Sequence, residues 1–131
     1  MQFLQNKDFG ILIFRLFVGF AMAFAHGLGK VPPGEQLIGG VTAMGFPLPV
    51  VFAWAAALSE LVGGVLIGFG LFTRLSSLAL GFTMAVAAFL VHAADPFQQK
   101  ELAFFYLVSC IMLIFTGAGK YSLDKVIRKV N

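Results

Sequence analysis

The chain has 131 residues, of which 60% are hydrophobic and 11% are charged, and its formal net charge is +3. A soluble domain carries about 25% charged residues, so this composition excludes an ordinary water-soluble domain and indicates one that lipid solvates. The single cysteine, Cys110, excludes an internal disulfide and a cysteine-based metal cluster, and we interpret it as a buried apolar residue. The length predicts a single domain, residues 1–131.

Four apolar segments follow one another along the chain, at about 9–29, 48–70, 73–93 and 101–118. Each is close to the ~20 residues that a helix needs to cross a bilayer. Backbone polar groups cannot stay unpaired in lipid, so we predict helices and not strands. The predicted fold is all-α, an integral membrane bundle of four transmembrane helices.

Two segments outside the spans are also predicted to be helical. In the first loop, apolar residues recur at nearly helical spacing and predict a short amphipathic helix at the membrane interface. These residues are Leu37, Ile38, Val41, Met44 and Phe46. Within the basic tail, 119–131, the segment from Tyr121 to Asn131 is predicted to form a short polar helix with Ser122 as its N-cap.

The basic residues outside the spans predict the orientation in the membrane. One side is shared by the N-terminus, the turn between the second and third spans, and the tail. It holds Lys7, Arg74, Lys120, Lys125, Arg128 and Lys129. The other side holds Lys30 and Lys100. This asymmetry predicts that both termini are cytoplasmic, and it accounts for the positive charge without a nucleic-acid partner.

Two charged residues, Arg15 and Glu60, lie deep inside predicted spans. A charge in the bilayer costs at least a few kcal/mol and normally faces the interior of a helix bundle. When depth is counted from the outer ends of the first two spans, the two residues lie at similar depth, and we expect them to form an ion pair. Such a pair could fix the helix register or contribute to function, and both interpretations stay open.

Further polar residues gather near the outer ends of the spans, and they predict a polar pocket with the Arg15–Glu60 pair as its floor. The candidate catalytic residues are His26, Glu60, His92 and Glu101. The candidate ligand-binding residues are Arg15, His26, Lys30, Glu60, His92 and Tyr106. Simpler interpretations exist, because histidines are common at interfaces, lysines snorkel to the membrane surface, and acidic residues favour helix N-termini. The two histidines and Glu101 come from three helix ends without a local pairing motif, so we expect no metal site.

Short stretches of this sequence, taken in order, resemble the DoxX family of small bacterial membrane proteins. They are Arg15-Leu16 with Gly19, His26-Gly27-x-x-Lys30, Gly45-Phe46-Pro47, Glu60-x-x-Gly63-Gly64, Gly70-Leu71-x-Thr73-Arg74, the His92 region and Gly117-x-Gly119-Lys120-Tyr121-Ser122-Leu123-Asp124. The resemblance covers nearly the whole chain. It implies a four-helix bundle in the bacterial cytoplasmic membrane and a link to quinone-reactive oxidoreductases.

Three functions are compatible with this sequence. The first is a quinone-linked oxidoreductase component that binds quinone or another small ligand in the polar pocket and works with a soluble redox partner. The sequence contains no dinucleotide-binding glycine loop and no CxxC motif, so quinone is the only cofactor we consider. The second is a non-catalytic membrane scaffold for a soluble redox or stress-response partner. The third is a pathway for protons or small molecules. Each is compatible with a homo-oligomer.

Overall fold

The protein is described by a computed structural model that covers residues 2–130, with the backbone alone for Lys129 and Val130. A short 3₁₀ turn, Gln2–Gln5, precedes six helices. These are α1 (Lys7–Lys30), α2 (Glu35–Ala43), α3 (Pro49–Phe69), α4 (Thr73–Val91), α5 (Phe97–Thr116) and α6 (Leu123–Val130). Residues 2–130 contain no strand. Helices α1, α3, α4 and α5 are long and apolar enough to cross a membrane, which confirms the predicted all-α fold with four spans.

The largest difference from the predicted boundaries is at the start of α5. This helix begins at Phe97 and not near 101, directly after Pro96, whose backbone is extended with φ −63 and ψ 155. The first turn contains Gln98, Gln99 and Lys100, and these polar residues concealed the helix start in a search for apolar runs. The earlier start therefore adds about one polar turn to the N-terminus of this helix.

The two short helices lie where the sequence predicts helices. Helix α2 occupies the first loop, and its contact with a membrane interface stays a prediction. Helix α6 follows Ser122, whose hydroxyl oxygen accepts a hydrogen bond from the Lys125 backbone N–H at 3.3 Å. The last residue of the predicted tail, Asn131, lies outside the described residues.

The spans pack in chain order, α1 on α3, α3 on α4, and α4 on α5. The contact between α1 and α3 is made by glycines. A methyl group at Gly19 would collide with the backbone of Gly64 and Gly68, and one at Gly64 would collide with Gly19 and Ala23. The two backbones therefore touch, as is common for small residues in membrane helices, and this contact fixes the register of α1 against α3.

The bundle has two polar ends and an apolar centre. We call the end with Lys7, Gly70 and Thr116 the terminal end, and the end with Lys30 and Phe97 the loop end. Between them lies the apolar core, with side chains exposed by at most 1%. It contains Val18, Ile67, Leu80, Cys110 and Leu113. Cys110 is therefore one of the buried apolar residues, as its sequence context predicts.

Candidate functional site

A cavity of about 210 Å³ lies at the loop end, between α1, α3, α4 and α5. We call it the loop-end cavity. Its lining consists of Met22, His26, Lys30, Glu60, Met84, Ala87, His92, Gln99, Leu102, Ala103 and Tyr106. Polar groups therefore face one another across the space, while methionine, leucine and alanine side chains supply its apolar walls.

Two helices change their winding beside the loop-end cavity. Met22–Gly27 of α1 and Ala87–Val91 of α4 form π-helical turns, which are wider than an α-helical turn. His26 lies within the first of these segments, and His92 caps the second, its backbone N–H donating to the carbonyl of Ala87 at 3.0 Å. Single π-helical turns occur frequently at functional sites, and here both border the same cavity.

An ion pair between α1 and α3 forms one wall of the cavity. The Lys30 ammonium lies 3.0 Å from Oε1 and 2.8 Å from Oε2 of Glu60. The Glu60 side chain is 4% exposed, whereas that of Lys30 is 41% exposed. A buried carboxylate needs a cation or hydrogen-bond donors to offset its lost hydration, and Lys30 supplies them. The Lys30–Glu60 pair therefore places a buried carboxylate, neutralised by its lysine, beside the loop-end cavity.

Another part of the lining brings His26 of α1 against Tyr106 of α5. The two rings meet edge to face with their centroids 5.7 Å apart. Tyr106 is 5% exposed, yet within residues 2–130 neither its hydroxyl nor the His26 imidazole has a hydrogen-bond partner. Buried polar groups normally have partners. These two side chains therefore retain hydrogen-bonding capacity next to the cavity.

His92 lies at the mouth of the cavity. Its Nδ1 is 2.8 Å from Oδ2 of Asp95, three residues further on in the turn before α5. Both side chains are more than one third exposed, at 36% and 38%. The Asp95 carboxylate thus orients the imidazole, leaving Nε2 as the ring atom that is not bonded to Asp95.

The structure brings together most of the residues that the sequence singled out. Five of them line the loop-end cavity: His26, Lys30, Glu60, His92 and Tyr106. Glu101 is not among them. On α5 the cavity-facing side chains are spaced as one helical face, and Glu101 lies on the opposite side and is exposed. The sequence grouped it with the histidines because it placed the start of α5 at this residue.

The predicted ion pair between Arg15 and Glu60 does not form. Both side chains are buried, at 1% and 3% exposure, but Glu60 pairs with Lys30. The backbone of α1 meets Glu60 at Gly27, which is twelve positions from Arg15, so the two charges differ in height by about 18 Å. The prediction counted depth from equal outer ends, whereas α1 ends lower than α3 begins. The predicted floor of the pocket is therefore wrong.

Arg15 belongs to the terminal end. Its guanidinium donates to the carbonyl oxygen of Ala118 at 3.1 Å and to that of Tyr121 at 2.9 Å. The Asp124 carboxylate lies close enough to act on its charge. Asp124 also accepts hydrogen bonds from the backbone N–H groups of Phe72 and Thr73, at 2.7 and 3.0 Å, and so caps the start of α4. We call this set of contacts the Arg15 network.

Sequence reasoning missed several residues of both regions. Met84, Ala87, Gln99, Leu102 and Ala103 line the cavity, and a helix start directly after Pro96 would have predicted the last three from their spacing. The partners of Arg15 gave no such signal, because backbone carbonyls have no side-chain pattern.

Within residues 2–130 no three His, Cys, Asp or Glu side chains gather closely enough to hold a metal ion. Glu101 is not part of the cavity lining that includes both histidines, so the three ligands considered from the sequence are not assembled. The imidazole, carboxylate, ammonium and phenol groups that line the cavity can form hydrogen bonds and exchange protons.

Comparison with known proteins gives a consistent result. The DoxX family model matches residues 10–93, which include α2 to α4 and all but the first three residues of α1. A protein of Bacillus subtilis named "Putative oxidoreductase CatD" is 35% identical over 128 residues, covering 95% of this chain and 93% of the relative. The "Inner membrane protein YqjF" of Escherichia coli is 31% identical over 131 residues, covering 94% and 95%.

An uncharacterized protein of Haemophilus influenzae is 34% identical over 128 residues, which cover 92% of this chain and 84% of the relative. No solved structure matches the chain. The matches to these three relatives each cover at least 92% of this chain.

Proposed function

The chain belongs to the DoxX family of membrane proteins, and from this membership we propose that it is a quinone-linked oxidoreductase component that binds a quinone head group in the loop-end cavity. One observation carries the proposal. Two hydrogen-bonding side chains without partners in the described structure, those of His26 and Tyr106, line a cavity together with Lys30 and Glu60. One of the relatives carries the name "Putative oxidoreductase CatD", which favours redox chemistry over a purely structural role.

The size of the cavity suits a single ring. An apolar cavity of about 150 Å³ accommodates benzene, whereas pockets for drug-sized ligands have about 300–1,000 Å³. The loop-end cavity, at about 210 Å³, fits one substituted six-membered ring and not an entire quinone with its long apolar tail. The tail would have to leave between helices toward the lipid, where an apolar chain costs nothing to solvate.

The polar lining suits the two carbonyl oxygens of such a ring. An N–H group of His26 and the hydroxyl of Tyr106 can donate hydrogen bonds to them, as can the Lys30 ammonium. Met22 and Met84 supply polarizable apolar contacts for the ring faces. Donors placed on a carbonyl oxygen stabilise the negative charge that develops there when the ring gains electrons.

Reduction of a quinone to a quinol consumes two electrons and two protons. His26 borders the ring position, and His92 stands at the cavity mouth, hydrogen-bonded to Asp95, so imidazoles are placed to deliver the protons. The electrons come from a redox partner, which we propose to be a soluble protein that docks on the membrane surface. In this proposal the chain binds, orients and protonates the quinone.

The experiment is a binding titration of the full chain, purified in detergent, with a short-tailed quinone analogue. We expect a saturable rise in melting temperature, because a ligand that binds only the folded state stabilises it. The variant Ala103→Leu fills the cavity and should abolish the rise. Its matched control is Ala55→Leu, on the exposed side of α3, which should behave like the unmodified protein. An absent rise, or an equal rise in both variants, contradicts quinone binding at this place.

We propose further that the protein resides in the bacterial cytoplasmic membrane with both termini in the cytoplasm. The inner-membrane name of the Escherichia coli relative and the excess of basic residues at the terminal end support this placement. Cysteines introduced singly at Gln2 and at Gln98 of a Cys110→Ala background test it in intact cells. A membrane-impermeant thiol reagent should label only the second position, and labelling of the first contradicts the orientation.

A further inference from the structure

A second cavity, of about 690 Å³, lies at the terminal end. We call it the terminal cleft. It is bounded by the start of α4, by the segment that follows α5, and by α6. Four cationic side chains line it, those of Arg74, Lys120, Lys125 and Arg128. All four are exposed, so their charges are available to a ligand at the membrane surface.

The two acidic residues that line the terminal cleft, Asp8 and Asp124, accept hydrogen bonds from backbone N–H groups. Asp8 accepts a hydrogen bond from the backbone N–H of Lys120 at 3.1 Å. Asp124 accepts from the first backbone N–H groups of α4, as part of the Arg15 network. Within residues 2–130 neither carboxylate forms an ion pair with a cation of the cleft. The four cationic side chains outnumber the two carboxylates in the lining, so the cleft keeps an excess of positive charge.

Arg74 is positioned at one edge of the cleft. Its Nε donates to the carbonyl oxygen of Ile114 near the end of α5, at 3.0 Å, and its guanidinium lies against Gly117. This bond uses one of the five N–H donors of the guanidinium and fixes the plane of the group. The remaining donors have the fork geometry that suits the oxygens of a phosphate.

Apolar side chains border the same space. Phe72, Leu75 and Ile127 line the cleft and are exposed by 59%, 67% and 46%. Helix α6 adds Val126, which is 58% exposed, on a short helix whose other residues include Lys125 and Arg128. An amphipathic basic helix of this kind lies in the boundary between head groups and acyl chains and favours anionic lipids. A ligand that contacts both the cationic and the apolar side chains of the cleft is an amphiphile with an anionic head group.

We propose that the terminal cleft is a binding site for an anionic phospholipid. The lipid phosphate lies among Arg74, Lys125 and Arg128, and the acyl chains run over Phe72 and Leu75 along the outside of α4. Binding there joins α6 to the bundle through the lipid, since the phosphate contacts residues of both. The site is independent of the loop-end cavity, which is at the other end of the molecule.

The test compares two lipids on the full chain in detergent, short-chain phosphatidylglycerol and phosphatidylcholine. The anionic lipid should raise the melting temperature in a saturable manner and the zwitterionic lipid should not. The double variant Lys125→Gln/Arg128→Gln should weaken the apparent affinity by about tenfold or more, because each basic residue near a membrane surface contributes to anionic-lipid binding. Neither side chain makes a hydrogen bond with residues 2–130, so we expect this variant to fold.

The matched control is Lys7→Gln/Lys100→Gln, which removes the same charge from exposed or half-buried positions outside the cleft and should keep the affinity of the unmodified protein. Equal weakening in both double variants indicates general attraction to positive charge and overturns the proposal. Inorganic phosphate and glycerol 3-phosphate are added as competitors. If either displaces the lipid or stabilises the protein as strongly at 10 mM, the ligand is a free phosphate and the lipid assignment is wrong.

Discussion

At the terminal end the buried guanidinium of Arg15 is held by two carbonyl oxygens, whereas at the loop end the buried carboxylate of Glu60 is held by a lysine that is 41% exposed. The Arg15 network is closed to solvent, because the terminal segment folds over it. Two of the guanidinium nitrogens donate to backbone carbonyls, and only the buried Nε has no hydrogen-bond partner within residues 2–130. The loop-end cavity is open, and it contains side chains without partners among the described residues. The two buried charges on facing helices therefore have different roles. Arg15 binds the terminal segment to the bundle, and Glu60 lines the loop-end cavity.

The apolar core separates these two regions. Each helix places tightly packed apolar residues between its polar ends, and those residues are exposed by at most 1%. A proton or solute moving through the bundle would have to cross this apolar layer, whose residues Val18, Ile67, Leu80, Cys110 and Leu113 carry no charge. The comparison of the two ends therefore favours a binding site that a ligand enters from the loop end, and not a transport pathway through the whole bundle.

The largest expected effect on stability is that of Arg15→Met. The substitution leaves the carbonyls of Ala118 and Tyr121 without their donor, and hydrogen bonds to charged groups contribute about 1.5–3 kcal/mol each. We expect a loss of about 3 kcal/mol and a melting temperature lower by about 10 °C, measured by thermal unfolding in detergent. The control, Arg128→Met, removes an exposed arginine of α6 and should change the melting temperature little. Equal effects would contradict a closed network.

Much of the fold follows from the sequence, because hydropathy and helical period are local properties. The spans, the loop helix and the inward position of His26 and Glu60 come from such patterns. The register of α1 against α3 does not, since it depends on where Gly19 meets Gly64 in three dimensions. That register separates the two buried charges. It explains why the sequence could predict that both face inward and could not predict their partners.

The next largest effect on stability is expected at the Lys30–Glu60 pair, where substitution of the lysine should cost more than substitution of the glutamate. Lys30→Met leaves a carboxylate that is 4% exposed without its cation, and we expect a loss of about 2 kcal/mol. Glu60→Gln leaves a lysine that water can reach, and we expect a loss of about 1 kcal/mol. The measurement is the melting temperature of both variants under the same conditions. A larger loss for Glu60→Gln would mean that the cavity wall is held by the carboxylate in another way.

A smaller loss of stability is expected from Asp124→Ala. The carboxylate caps the first turn of α4 through the N–H groups of Phe72 and Thr73, and loss of an N-terminal cap costs about 1 kcal/mol. Asp124→Asn keeps one acceptor oxygen and should recover part of the loss. Hydrogen exchange of the α4 N-terminal amides measures the effect where it arises. Protection of these amides that is unchanged in Asp124→Ala would show that the cap contributes nothing.

The smallest effect on stability, and the sharpest on binding, is expected from His26→Phe. Phenylalanine keeps an aromatic ring against Tyr106, and the imidazole it replaces makes no hydrogen bond within residues 2–130, so the melting temperature without ligand should change by less than about 2 °C. The quinone analogue should then stabilise the variant much less, because the ring has lost its donor. Glu101→Gln, on the opposite face of α5, should respond to the analogue like the unmodified protein. If His26→Phe unfolds at a much lower temperature, His26 is part of the packing and the contrast between an open and a closed end of the bundle disappears.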